Sequence, residues 1–226
     1  MMAPAPQPAL AALAAESVRL SLALKAITAW DAPTRCAPWD AAALTAHITM
    51  TLARLAPMLD APAPAAAAVD AAGYYRPDER FSPEVNDIRI DSAAEAARSG
   101  GPAVAAEFEA VWSAAVDRCA AEPVGRLVTT RHGDPMTLAD FLTTRVVEVA
   151  VHGIDLADAL GRPRWTTPEA AAHVTALLLG PGHGNALEAL GLDPVGFIAK
   201  ATGREDFTDA ERAQVEARGI TWLALG

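Results

Sequence analysis

Between Thr144 and Leu156 the chain reads TRVVEVAVHGIDL, a helical pattern that carries charge where a helix should be greasy. At about 100° per residue, Arg145, Glu148, His152 and Asp155 fall on one narrow stripe. Val149, Gly153 and Leu156 flank it on one side, and Val147, Val151 and Ile154 on the other. A solvated helix face is broad and polar, with the apolar stripe opposite; here the polar groups sit between apolar walls. A carboxylate and an imidazole removed from water must be paired, protonated or bound to a cation. Glu148 and His152 are one turn apart, so both side chains can reach one ion.

The chain is 226 residues long, enough for one large domain or a main domain with a smaller appendage. Its wealth of alanine, with leucine and arginine, favours helix. The net charge of −10 leaves no basic stripe for nucleic acid and no attraction to an anionic membrane. No uncharged apolar run reaches the roughly 18 residues of a membrane span. Glu16 and Arg19 interrupt the first apolar stretch, so no secretory leader is expected and a cytoplasmic location follows by default. Two cysteines, Cys36 and Cys119, are too few for a disulfide framework and read as small buried hydrophobes.

Apolar spacing predicts helices over about 8–30, 40–59 (Asp40 as N-cap), 102–121 and 137–160, with Gly161 as the last stop signal. Residues 61–100, rich in Pro, Ala and Gly and holding the charged run Arg76-Pro77-Asp78-Glu79-Arg80, read as a long irregular covering segment. A short strand is expected over 127–131. Beyond a boundary near residue 163 the texture changes: a helix over 168–179, a loop Pro181-Gly182-His183-Gly184-Asn185, a short helix before Thr202, another over 208–218, and a closing strand over 219–225. Four long helices make a bundle, and bundles build metal sites from side chains on facing helices.

His47 is the best third partner for Glu148 and His152, because it lies beside the stripe set by Leu44, Ile48 and Thr51. A His₂Glu set with an open position is the catalytic zinc pattern, although nitrogen and oxygen ligands also admit Fe²⁺, Ni²⁺ or Mn²⁺. Asp155 could orient an imidazole from behind. Spacing alone leaves two other readings open: Arg145 neutralises Glu148 with no metal present, and His47 is a hydrogen-bonded core histidine. His132, His173 and His183 read as loop or surface residues, with His183 a candidate pocket residue. Trp39 and Trp112 read as core.

Three segments together are similar to a known family. Pro33-Thr34-Arg35-Cys36-Ala37-Pro38-Trp39 followed by Leu44-Thr45-Ala46-His47 resembles the start of the second helix in the mycothiol-dependent maleylpyruvate isomerases, of the DinB/YfiT-like metal-binding four-helix bundles. Arg145 to Ala157 resembles that family's fourth-helix motif. The tail, with Thr202-Gly203-Arg204 and Trp222-Leu223-Ala224-Leu225-Gly226, is similar to its small C-terminal α/β domain. The likeness spans most of the chain apart from 61–100; Ala37-Pro38 stands where the family usually has Pro-Gly.

The resemblance implies a mainly α protein: a DinB-like four-helix bundle over 1–163 followed by a small α/β domain over 164–226. It implies His47, Glu148 and His152 as ligands of a divalent metal, most simply Zn²⁺, with Arg145 and Asp155 behind them, and Arg204 as the arginine that holds an acidic substrate. It further implies mycothiol as thiol co-substrate, added to a small electrophile in cis–trans isomerisation or S-transfer, by a monomer or homodimer. The competing expectation is a non-catalytic metal- or ligand-binding regulatory module on the same bundle.

Overall fold

The computed structural model describes residues 7–78, 82–180 and 182–223. Four helices form the bundle: α1 (Pro8–Leu24), α2 (Ala41–Ala53), α6 (Gly101–Ala120) and α7 (Leu138–Ala159). α1 packs on α6 and α7, and α2 on the same pair from the other side. Between α2 and α6 run α3 (Leu55–Asp60), α4 (Ala71–Tyr74) and α5 (Pro83–Ala97); α5 lies against α2 and α6. A hairpin of β1 (Leu127–Thr129) and β2 (Pro135–Thr137), paired antiparallel with Val128 opposite Met136, leads into α7. After α7 come α8 (Pro168–Leu179), α9 (His183–Leu190), α10 (Pro194–Ala201) and α11 (Asp209–Ala217).

α8 covers α1 and α7, and α10 rests on both α8 and α7. That explains why α7 has apolar residues on both flanks of its charged stripe. It is surrounded, and Val146, Val147, Val149, Ala150, Ile154 and Leu156 are all fully buried. At roughly 1.5–3 kcal/mol per buried aliphatic side chain, this helix is the largest single contributor to the core. Thr137 caps its first turn by accepting from the Asp140 N–H, and Gly161 follows its last turn with φ +60°, a left-handed C-terminal stop. Gly101 has a different role: the Trp30 indole lies where a Cβ would stand, 2.0 Å from its ring atoms.

Several expectations are corrected. The segment 61–100 is not irregular: Ser82 caps α5 by accepting from the Val85 N–H, and Pro83 stands at its first turn. Its exposed, polar sequence hides the apolar period. The second helix does not run unbroken to Leu59. It breaks at Arg54, because Pro57 has no N–H for the Ala53 carbonyl. The loop expected at 182–185 opens α9 from His183. The closing strand does not form over 219–223; the Thr221 N–H bonds the Leu178 carbonyl at 2.8 Å, but no ladder develops. The elements described beyond 163 are therefore helices, and among the described residues the paired strands are those of the hairpin before α7, beside one isolated bridge between Pro33 and Asp40. Glu79 and Arg80 of the charged run, Pro181, and Ala224 to Gly226 of the tail lie outside the described residues. Among the described residues no helix is long and apolar enough to cross a membrane.

Candidate metal centre and its cavity

The charged stripe of α7 faces α2. His47, on α2, is 8% exposed and stacks on Trp39 with ring centroids 4.5 Å apart. Trp39 is held by the connector before α2, where the Thr34 hydroxyl and N–H both donate to its carbonyl. Asp40 caps α2 by accepting from the Ala43 N–H at 2.8 Å. These contacts fix the His47 ring, which meets His152 edge-on at 5.2 Å.

The three donors of His47, Glu148 and His152 lie within 4.8 Å of one another. His47 Nε2 is 3.7 Å, and His152 Nε2 3.5 Å, from Glu148 Oε2. Both exceed ordinary hydrogen-bond length. Two ligands of a tetrahedral zinc ion, each bonded at 2.0–2.1 Å, stand about 3.3 Å apart. The two separations from Glu148 are within a few tenths of an ångström of that spacing, so the donor set fits a divalent cation.

The groups behind the trio are equally specific. Asp155 Oδ2 lies 3.0 Å from His152 Nδ1, so Nδ1–H donates to the carboxylate and leaves Nε2 free to face Glu148. Asp155 is 1% exposed and also takes two bonds from Arg204, Nε to Oδ1 at 2.9 Å and a terminal nitrogen to Oδ2 at 2.7 Å. Arg145 is fully enclosed: it donates to the Thr51 carbonyl at 3.3 Å, lies over the Phe141 ring, and comes within 3.9 Å of Glu148 Oε1. The structure thus brings Arg145 towards the trio without closing it off, and places Arg204 against Asp155.

The electrostatics follow from these contacts. Burial pulls His47 down to about 4, so it is neutral at pH 7 and able to donate its lone pair. Burial works to raise the Glu148 carboxyl, but His152, His47 and Arg145 outweigh it and hold it well below the usual carboxylate range. Burial disfavours charge on His152 too, yet Asp155, Cys36 and Glu148 together keep its proton well above the usual histidine range. A cation must displace that proton, which makes its binding pH-dependent.

The trio opens on a cavity of about 450 Å³, large enough for a small ligand. Among the described residues six arginines line it, numbered 35, 54, 89, 131, 145 and 204, and Glu148 is the only acid on its wall. In a chain of net charge −10 this concentrates positive potential in one cleft.

Some residues here were not anticipated. Cys36, expected to be a buried hydrophobe, is half-exposed on the cavity wall; its Sγ donates to Asp155 Oδ2 at 3.4 Å and lies 4.0 Å from His152 Nδ1. Cys119 is buried as expected, and burial pushes its thiol up to about 11. His132, expected in a loop or at the surface, lies in the turn between β1 and β2 and also lines the cavity with Tyr74 and Tyr75. Trp39 is core and cavity wall at once. Trp112 is partly buried against the core, its indole N–H donating to Ser21. His173 contacts Thr143 away from the cavity, and His183 is not on its wall.

A family model described as the mycothiol maleylpyruvate isomerase N-terminal domain matches residues 10–157. The chain belongs to this family. The match covers all but the first two and the last two residues of the bundle, and includes His47, Glu148 and His152. Two crystal structures share the fold, both described as the mycothiol-dependent maleylpyruvate isomerase. One is 16% identical, with a TM-score of 0.57 over 87% of this chain and 88% of its own. The other, a histidine-to-alanine mutant, is 17% identical, with a TM-score of 0.51 over 74% of this chain and 67% of its own. No curated protein matches the sequence.

Proposed function

We propose that the chain is a divalent-metal-dependent enzyme that activates mycothiol for addition to a small electrophile, giving cis–trans isomerisation or S-transfer. The observation that carries this reading is the separation of the His47, Glu148 and His152 donors, which matches cation ligation better than direct bonding and leaves one side open to the cavity. Bound there, zinc would hold a thiol as thiolate at neutral pH.

The protein's own groups then have defined tasks. His47 offers a neutral nitrogen, His152 offers one once the cation displaces its proton, and Glu148 offers the charge that the cation requires. Asp155 fixes the tautomer and tilt of His152. Trp39 holds the His47 ring flat against it, which limits the ring's freedom at little entropic cost. The arginine-lined cleft draws in an acidic electrophile. Arg204, at the far side of Asp155, serves both as the clamp on that carboxylate and as part of the cavity wall. Residues 164–226 act as a second unit whose contribution to the site is this arginine. Neither cysteine is needed as a nucleophile.

The test is incubation of purified protein with mycothiol and a panel of activated alkenes, read by mass spectrometry and by the ratio of geometric isomers. Turnover that Glu148→Gln abolishes is expected. If the wild-type protein binds mycothiol but forms no adduct and interconverts no isomer across the panel, the molecule is a binding module and the proposal fails.

A further inference from the structure

The six arginines of the cavity are not equivalent. Arg204 is paired with Asp155, and Arg35 donates to the Gly203 carbonyl at 2.6 Å and lies 3.9 Å from Asp155. Both belong to the Cys36–His152 side. Arg145 answers Glu148, and Arg89 donates to Asn86 Oδ1. Arg54 and Arg131 differ. Neither is paired with a carboxylate among the described residues; Arg131 Nε reaches only His132 Nε2, at 3.1 Å.

Both belong to the Glu148 side of the cavity. Arg54 sits where α2 breaks into α3, and Arg131 in the turn of the β1–β2 hairpin. Tyr74 lines the same cavity, its hydroxyl 3.5 Å from an Arg145 terminal nitrogen. Burial, then the neighbouring Arg131 and Arg145 charges, pull Arg54 down to about 10. Like charges gathered in a cleft that holds fewer counter-charges than cations cost energy that a well-placed anion recovers.

The reaction class proposed above supplies such an anion. When a thiolate adds to the β-carbon of an α,β-unsaturated ketone, the sulfur lone pair forms the C–S bond. The alkene π pair moves to the bond between the α and carbonyl carbons, and the carbonyl π pair moves onto oxygen. The former double bond is then single and can rotate. When the charge returns from oxygen, the carbonyl and the alkene re-form and the C–S bond breaks with its electron pair. No oxidant, reductant or proton is consumed. The charge leaves sulfur and appears on a carbonyl oxygen several bonds away, and a preorganised donor at that place lowers the barrier.

We propose that Arg54 and Arg131 form an oxyanion site for the ketone oxygen of such a substrate, in the cavity on which the candidate metal centre opens. This rests on the thiol-addition reading. It makes the two arginines catalytic residues, not anchors for a ground-state carboxylate. It also narrows the electrophile to an enone whose oxygen reaches the Arg54 side while its β-carbon faces the trio.

Two measurements test it on the full-length protein. The first is turnover of an enone with mycothiol. Arg54→Gln is expected to lower kcat about 100-fold, as loss of one oxyanion donor does, with KM within threefold and metal content unchanged. Arg131→Gln is expected to cost about tenfold, and Arg54→Lys, which keeps the charge but loses the fork, should fall between wild type and Arg54→Gln. The second measurement needs no thiol: acetopyruvate, a saturated 1,3-diketo acid, is titrated onto the protein and its enolate absorbance followed against pH. Wild type is expected to bind the enolate and lower its apparent pKa, with the shift lost in Arg54→Gln and in Arg131→Gln. Arg131 is exposed, so its variant reports even where the Arg54 variants fold poorly. An Arg54→Gln effect confined to KM, or an enolate signal unchanged in both variants, overturns the proposal. Arginine-dependent enolate binding in a protein with no thiol turnover would support the oxyanion site and sink the thiol-addition reading.

Discussion

Replacing Asp155 by Asn is the sharpest single perturbation of the site's support. The carboxylate accepts from His152 Nδ1–H at 3.0 Å, takes two bonds from Arg204 at 2.9 and 2.7 Å, and accepts from the Cys36 thiol. Asparagine keeps the shape but loses the charge, and its amide nitrogen must face a donor. The Arg204 side chain, 8% exposed, is left without a counter-charge. Removing one partner of a buried pair costs about 3–5 kcal/mol. For a chain of this size that lowers Tm by roughly 10 °C. The same change frees the His152 ring and should weaken cation binding about 10–100-fold.

The assay is guanidinium unfolding of Asp155→Asn, Arg204→Gln and the double variant, with zinc titration of each. Burial raises the Asp155 carboxyl, but His152 and Arg204 outweigh it and hold it well below the usual carboxylate range. Its stabilising contribution is therefore present above the unfolded value of about 3.9 and is lost only as pH falls through the lower folded value. The Asp155 carboxylate itself adds no slope between pH 5 and 8, but it also holds the His152 proton; the penalty of Asp155→Asn should therefore be largest near pH 5 and shrink as pH rises and the variant's His152 loses its proton, and the double variant should recover part of it. A penalty under about 1 kcal/mol, or additive single variants, would refute the reasoning, since contacting charges must couple.

Two further outcomes are expected from the fold. Burial raises the Glu16 carboxyl, more than the Thr167 N–H and hydroxyl, which both donate to Oε2, can lower it. A carboxyl with a raised folded pKa loses stability as pH rises from its unfolded value, about 4.3. The stability of wild type relative to Glu16→Gln should therefore fall between pH 4 and 7 in urea unfolding, and an opposite slope would exclude this reading. Gly101→Ala places a methyl where the Trp30 ring stands; overpacking of this kind should cost about 1–3 kcal/mol, measured by thermal melt, and an unchanged Tm would show that the indole moves aside freely.

How much was legible in the sequence depends on how local each signal is. The α7 stripe was readable because four polar residues keep helical spacing inside an apolar run, and Thr137 and Gly161 mark its ends. His47 was readable from its place beside Leu44 and Ile48. α5 was missed because its residues are mostly solvent-facing, with only Ala93 buried, so no apolar period shows; the signal left was Ser82-Pro83-Glu84 at its start. Arg54, Tyr74 and Arg131 carry no motif at all. Tertiary folding alone brings them to one cavity from a helix break, a short helix and a hairpin turn. The place of Cys36 could not be inferred either, since the Asp155 it meets is 119 residues away.

The most direct test of the account is calorimetric zinc titration of the wild-type protein beside His47→Ala, Glu148→Gln and His152→Ala, with metal content checked by elemental analysis. One zinc ion per chain is expected, with affinity at least 100-fold weaker in each variant while Arg204→Gln retains the stoichiometry. Wild-type protein that takes up no divalent cation, or variants that bind it as tightly as wild type, would contradict it.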